Sequence, residues 1–194
     1  MTRPEQLQLA STSPRRREIL AALGLSFSVV HVDVDETPRT GEAPDEMVVR
    51  LAVAKAEAAP CGENTVVIAA DTAVVVDGRV LGKPAGEDDC LEMLGALAGR
   101  RHTVYTGVAV RAATRTRTAL SATDVQFRDI GPDEALAYWQ SGEPRDKAGA
   151  YGIQGLGGMF VERIEGSYSG VVGLPVFETA ALLDEAGFGL LGRR

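Results

Sequence analysis

Apolar and polar positions repeat with two different periods along this chain, and the switches between them mark out its elements. Residues 7–10 read as a short strand. Across 14–23, Ile19, Leu20 and Leu23 fall on one helical face, and Gly24 follows as a stop. Residues 27–32 predict a second strand, and the polar, turn-rich stretch 33–44 predicts a loop. A helix is predicted over 45–59, with Met47, Val48, Leu51, Val53 and Ala54 on its apolar side. The β-branched run 65–70 suits a buried strand. Residues 73–76, the Asp77-Gly78 pair and 79–81 then form a hairpin signal. Beyond it come a helix over 87–98, strands over 103–110 and 116–127 suited to antiparallel pairing, and a helix over 132–140. From 142 to 173 glycine is dense, which predicts a long loop around one strand at 159–164. A last helix is predicted over 174–186. Strands alternating with helices, with hairpins between, give an α/β fold with a mixed sheet.

Composition narrows the class. The 194 residues suit one domain, or one extended domain with a small lobe. Apolar residues make up 45% and charged residues 24%, enough for a real core. No apolar run reaches the ~18 residues of a membrane span. The opening segment, residues 1–6, lacks the basic-then-apolar layout of a secretion signal. Cys61 and Cys90 are far apart and form no metal knuckle. A cytoplasmic protein is the expectation. The net charge of −7 weakens any draw toward nucleic acid. An acidic chain that holds phosphate must concentrate its cations locally, and a divalent metal helps. His31 and His102, the two histidines, lie in different segments, which argues against a zinc site.

The most informative segment is Ser11-Thr12-Ser13-Pro14-Arg15-Arg16-Arg17. Ser13 suits an N-cap and Pro14 the first helical position. Three arginines then fall in the first turn, where the helix dipole opposes each by roughly 0.3–1 kcal/mol. A phosphate bound there would reverse those costs. Arginine also offers a planar fork to phosphate oxygens. The plain alternative is a solvated basic helix start.

Three other groups are candidates. Asp71 and Thr72 follow the apolar run 65–70. Either Asp71 emerges at the carboxyl end of that strand, where ligand sites collect, or it is buried with a partner. Lys83 follows the hairpin closely, with a solvated turn residue as the plain alternative. Asp33, Asp35 and Glu36 make an acidic loop of a kind that suits Mg²⁺, with a solvated acidic loop as the plain alternative, and Lys55 stands among alanines as an ordinary helix lysine would. Finally, the run 142–155 combines glycines with Gln154, whose amide can both donate and accept. Walker, dinucleotide-binding, serine-hydrolase and zincin motifs are lacking.

In this order the segments resemble the Maf family of nucleotide pyrophosphatases. The matching pieces are Leu9-Ala10-Ser11-x-Ser13-Pro14-Arg15-Arg16, Asp35-Glu36, Lys55-Ala56, Ala70-Asp71-Thr72 and Gly82-Lys83-Pro84. His102 and Thr106, Glu143-Pro144-x-Asp146 through Gly155, Gly166-Ser167-Tyr168 and Val171 through Pro175 complete the series. It covers residues 7 to about 187.

The resemblance implies a single domain over 1–194, with a largely extended mixed sheet, flanking helices and two lobes around a cleft. It implies hydrolysis of a nucleoside triphosphate to monophosphate and pyrophosphate with Mg²⁺ or Mn²⁺. The Asp71-Thr72 pair and the run 146–154 look like the branch acting on dTTP and UTP. A 7-methyl-GTP enzyme and a non-catalytic regulator of cell division are the alternatives. By this resemblance Asp71 is the catalytic base, and Glu36 with Asp71 holds the metal. Ser11, Arg15, Arg16, Lys55 and Lys83 bind phosphate, while Arg15, Thr72 and Gln154 set specificity. The expected partner is the nucleotide, with neither nucleic acid nor membrane, and a homodimer is compatible with the family.

Overall fold

The elements follow the two periods closely. In chain order they are β1 (Gln6–Leu9), α1 (Pro14–Ala22), β2 (Ser28–Val29), α2 (Pro44–Ala58), β3 (Thr65–Val76) and β4 (Arg79–Leu81). Then come α3 (Glu87–Leu97), β5 (Arg101–Ala112), β6 (Arg115–Phe127), α4 (Pro132–Gln140), β7 (Val161–Glu165), α5 (Tyr168–Val172) and α6 (Val176–Glu185). This computed structural model describes residue 4 and residues 6–191. The two ends of the expected 1–194 domain, and most of the 1–6 segment read for a secretion signal, lie outside the described residues. Among the described residues no helix is long and apolar enough to cross a membrane.

Local chemistry explains most boundaries. Pro14, Pro44 and Pro132 stand at the starts of α1, α2 and α4, where a missing N–H costs nothing. Gly24 ends α1 in the left-handed region at φ 72°. Asp77 and Gly78 both have positive φ, as a two-residue hairpin turn requires.

Three expectations change. The second strand shrinks to Ser28–Val29, both exposed. β3 does not stop at residue 70 but continues through Asp71 and Thr72 to Val76. The 142–173 segment is more ordered than a loop around one strand: it holds 3-10 turns at Glu143–Asp146, Ala148–Ala150 and Leu156–Phe160, and then β7 and α5. Short turns carry no long-range periodicity, so alternation alone could not find them.

The seven strands pair in the order β2-β1-β3-β5-β6-β7, with β4 on β3. β1 is parallel to β2 and β3, whereas β3–β4 and β6–β7 are antiparallel, so the sheet is mixed. The chain divides into two compact units. One comprises residues 1–71, 106–121 and 173–194; the other comprises 72–105 and 122–172.

In the first unit the strand alternation sorts residues to two faces. Leu9, Val66, Ile68, Val108 and Val110 join Leu20 of α1 and Leu182 and Leu183 of α6. Val67, Ala69 and Ala109 face Ala52 and Ala56 of α2. That second face is lined with small residues, so α2 lies very close to β5. A Cβ at Gly107 would come within 2.5 Å of the Val48 carbonyl oxygen. Two residues beyond Ala109, Arg111 donates to the carbonyls of Glu57 at 2.8 Å and Ala59 at 3.2 Å, which satisfies the open end of α2.

The second unit buries Val74, Leu81, Leu94, Leu97, Val104, Phe127, Tyr151 and Phe160 together. His102 is enclosed there at 2% exposure. Its Nε2 meets the Tyr151 hydroxyl at 2.9 Å, and its ring stands edge-on to Phe127. Burial pulls its pKa from 6.5 down to about 4, partly offset by Asp124.

Two predictions follow from this packing. Gly107→Ala has no flexible neighbour to displace, only the backbone of Val48 and Val49. It is expected to lower the unfolding free energy by roughly 2–3 kcal/mol, measured by urea denaturation. His102 is neutral in both folded and unfolded chains above pH 6.5. As pH falls, the unfolded chain takes up a proton that the folded chain refuses, so stability drops between about pH 6.5 and 4. The full loss is about 3 kcal/mol. Urea midpoints from pH 7.5 to 5 should slope downward in the native protein and flatten in His102→Asn.

Candidate active site

Two parallel pairings bring the chemistry together within the first unit. β1 pairs with β3 up to Leu9↔Ile68, and Ala10 donates to the Ile68 carbonyl at 2.8 Å. On the other side of β1, Val30 donates to the Leu9 carbonyl at 2.9 Å. The chain leaving β1 at Ser11, the chain leaving β2 toward Glu36, and Asp71 of β3 are therefore at one end of the parallel strands. Carboxyl ends of parallel strands are where α/β sheets collect ligand sites. Asp71 sits three residues past the last β1 register pair, so it reaches this end without terminating its own strand.

The centre is an ion triad. Lys55 Nζ lies 2.6 Å from Asp71 Oδ1 and 2.6 Å from Glu36 Oε1. The Lys55 side chain is only 12% exposed and that of Asp71 14%, against 61% for Glu36. Lys55 is thus not the ordinary exposed helix lysine its alanine-rich setting suggests. Its position follows from the close approach of α2 to the sheet, and Asp71 shares the α2 face of β3 with Ala69. Thr72 leaves the strand on the opposite face.

Beside the triad, Arg16 is half-buried. Its Nη1 donates to Ser11 Oγ at 3.1 Å and its Nε to the Gly173 carbonyl at 2.8 Å. Burial lowers its pKa, Asp71 and Glu36 raise it, and Arg15 lowers it. Ser11 Oγ also accepts from the Ser13 N–H at 3.3 Å. Ser13 has cap-like backbone angles but makes no side-chain cap bond, so Ser11 rather than Ser13 supplies the nearby hydroxyl. Arg15 is half-buried and Arg17 exposed. No acidic residue occupies the first turn of α1.

The loop bearing Glu36 is pinned from α2. Arg50 forks onto the Glu42 carboxylate, with Nη2 at 2.7 Å from Oε2, and it also reaches the Thr37 carbonyl at 3.3 Å. The Arg50 hydrogen bond holds the Glu42 carboxyl at about 2, against 4.5 ordinarily. Asp35 turns back to accept the Thr37 N–H at 2.9 Å. Of the acidic loop, then, Glu36 alone meets Lys55, while Asp35 stabilises its own turn. Arg50 and Glu42 escaped the sequence reading. Their eight-residue separation spans a loop and a helix start, and no periodicity links them.

Lys83, Thr72 and Gln154 belong to the second unit. Lys83 and Gln154 are exposed there and Thr72 is half-buried. Among the described residues no three His, Cys, Asp or Glu side chains gather as a metal site. Two carboxylates nonetheless point at one cation, the Lys55 ammonium. That donor set fits Mg²⁺ or Mn²⁺, which take one or two carboxylates and complete their shell with water and substrate oxygens.

The chain is similar to known proteins along most of its length. Residues 6–186 match the family model described as Maf-like protein. A relative from Methylococcus capsulatus called dTTP/UTP pyrophosphatase is 52% identical over 188 residues, covering 95% of this chain and 92% of that protein. Relatives of the same name from Hahella chejuensis and Vibrio parahaemolyticus are 51% and 49% identical, over 94% and 95% of this chain and 92% and 99% of theirs. Among solved structures, the Staphylococcus aureus Ham1 protein aligns with a TM-score of 0.45 and 19% identity over 63% of this chain and 72% of its own. A nucleoside-triphosphatase / dITP/XTP pyrophosphatase from Mycobacterium abscessus gives 0.43 and 14% over 94% and 95%. These two likenesses are too loose to carry an argument.

The triad is testable by stability. Lys55→Met leaves Glu36 and Asp71 facing each other without their shared cation. Unfolding free energy at pH 7 is expected to fall by about 1–3 kcal/mol, read by chemical denaturation.

Proposed function

Since the chain belongs to the Maf-like family, we propose that it hydrolyses dTTP and UTP to the monophosphate and pyrophosphate, with residues 1–194 working as one domain. The observation that carries this is the Glu36–Lys55–Asp71 triad beside the half-buried Arg16–Ser11 pair. A half-buried guanidinium and a nearly buried ammonium, with two carboxylates, suit a polyphosphate and its accompanying cation. The names of the relatives support the choice of nucleotide.

In this reading Ser11, Arg15, Arg16, Lys55 and Lys83 bind the phosphate chain. Cations placed there stabilise the charge that gathers on the leaving pyrophosphate. Asp71 accepts the proton of an attacking water. The water oxygen bonds to the α-phosphorus, the α–β anhydride bond breaks, and pyrophosphate departs. Glu36 and Asp71 hold the divalent metal, which when bound supplies further positive charge against phosphate oxygens. Arg15, Thr72 and Gln154 select the base. Thymine and uracil both present an O4 acceptor, with an N3–H donor next to it, and the Gln154 amide can match both. The protein works in the cytoplasm on the nucleotide pool, as a homodimer, and binds neither nucleic acid nor membrane.

The test is a substrate screen of the purified protein with Mg²⁺ or Mn²⁺. Pyrophosphate is expected from dTTP and UTP. Release from 7-methyl-GTP alone would move the protein to the sister branch, and nucleotide binding without release under either metal would favour the regulator. Asp71→Asn is expected to lower kcat by about 10²–10⁴-fold while nucleotide binding persists. A variant with near-native turnover would remove Asp71 from the base role.

A further inference from the structure

The glycine-rich run of the second unit is organised around one carboxylate that no assigned role uses. Glu143 opens the 3-10 turn Glu143–Asp146, directly after Gly142 at φ 79°. Its Oε2 accepts the Leu156 N–H at 2.8 Å, and its Oε1 accepts the Gly157 N–H at 2.9 Å. Oε1 also accepts the Tyr138 hydroxyl at 2.8 Å, and that same hydroxyl oxygen accepts the Gly152 N–H at 3.1 Å. Both ends of the segment 152–157 are therefore tied to Glu143, one directly and one through Tyr138.

Between those ties the Gly155 N–H closes on the Gly152 carbonyl at 3.2 Å. Gln154 is the third residue of that four-residue turn, and it is exposed. The glycines are needed because the chain hugs its anchors. A Cβ at Gly155 would sit 2.2 Å from Glu143 Oε2, and one at Gly152 would sit 2.6 Å from Lys147 Cε. Lys147 Nζ in turn donates to the Glu143 carbonyl at 2.6 Å. Burial raises the Glu143 pKa, but the N–H donors of Gly157 and Leu156, the Tyr138 hydroxyl and Lys147 outweigh it, and the net direction is down. The group is held ionised, as an acceptor for three donors must be.

We infer that Glu143 is a positioning residue for base selection: its carboxylate holds the Gly152–Gly155 turn that presents Gln154. This rests on the reading of Gln154 as a base-selecting residue. A single amide discriminates uracil from cytosine only if its orientation is constrained, because the two bases exchange donor for acceptor at adjacent positions.

The experiment compares kcat/KM for UTP and CTP in the full-length protein with metal. Glu143→Gln keeps the shape but puts an NH₂ where one N–H needs an acceptor. It is expected to lower the UTP/CTP ratio about tenfold, mainly through a higher KM for UTP, with kcat changed less than about twofold. Tyr138→Phe cuts the link to Gly152 and should move the ratio the same way, so the inference stays testable if one variant folds poorly. Gln154→Ala should lower the ratio too, and adding Glu143→Gln to it should lower it no further. A merely structural Glu143 would change the melting temperature and leave the ratio alone. If Gln154→Ala lowers the ratio while Glu143→Gln and Tyr138→Phe do not, the positioning role is overturned. If Gln154→Ala itself leaves the ratio unchanged, base selection by Gln154 falls, and this inference with it.

Discussion

The close seating of α2 on β5 is the constraint from which the first unit's chemistry follows. Gly107 and Ala109 present almost no side chain, and Ala52 and Ala56 answer them from the helix. Small residues on both sides let the helix lie near enough that Lys55, in its last turn, reaches a carboxylate on β3. The same helix sends Arg50 to the loop that carries Glu36. One packing contact therefore brings the cation within reach of both carboxylates it joins. Arg111, on the same face of β5, anchors the helix end and keeps Lys55 in register.

Charge is the second theme. Chain-wide the protein is acidic, yet Arg16 is half-buried and Lys55 nearly buried. Taking cations out of water is costly unless partners compensate. Here the compensation is divided: Asp71 and Glu36 for Lys55, and Ser11, the Gly173 carbonyl and the field of Asp71 for Arg16. Arg15, close enough to depress the Arg16 pKa, adds a further cation to the first turn of α1. An anionic ligand with several negative oxygens is the chemical complement of such an arrangement.

The glycine-rich run of the second unit uses the reverse strategy. There one carboxylate collects backbone N–H groups, and the glycines are spaces that let the chain approach it. Such a run is pinned by these hydrogen bonds between short 3-10 turns. That reconciles its glycine content with its buried neighbours Ala150, Tyr151 and Phe160.

Much of this could be read from the chain alone. The strand and helix periods, the proline starts of α1, α2 and α4, the Asp77-Gly78 turn and the arginine-rich start of α1 are local properties, and local chemistry sets them. Ser11, Arg16, Glu36, Lys55 and Asp71 were all nameable from motif order. What the order of residues could not supply is who meets whom. Asp71 is a mid-strand residue because strand pairing, not its own polarity, decides where β3 ends. Lys55 is nearly buried because Gly107 and Ala109, far along the chain, let its helix settle. Arg50–Glu42 and Glu143–Tyr138 hold their loops by contacts that carry no periodic signal. Sequence determined which groups were available and which elements bore them; only the tertiary structure decided their partners, because hydrogen bonds and ion pairs form between neighbours in space, and packing chooses those.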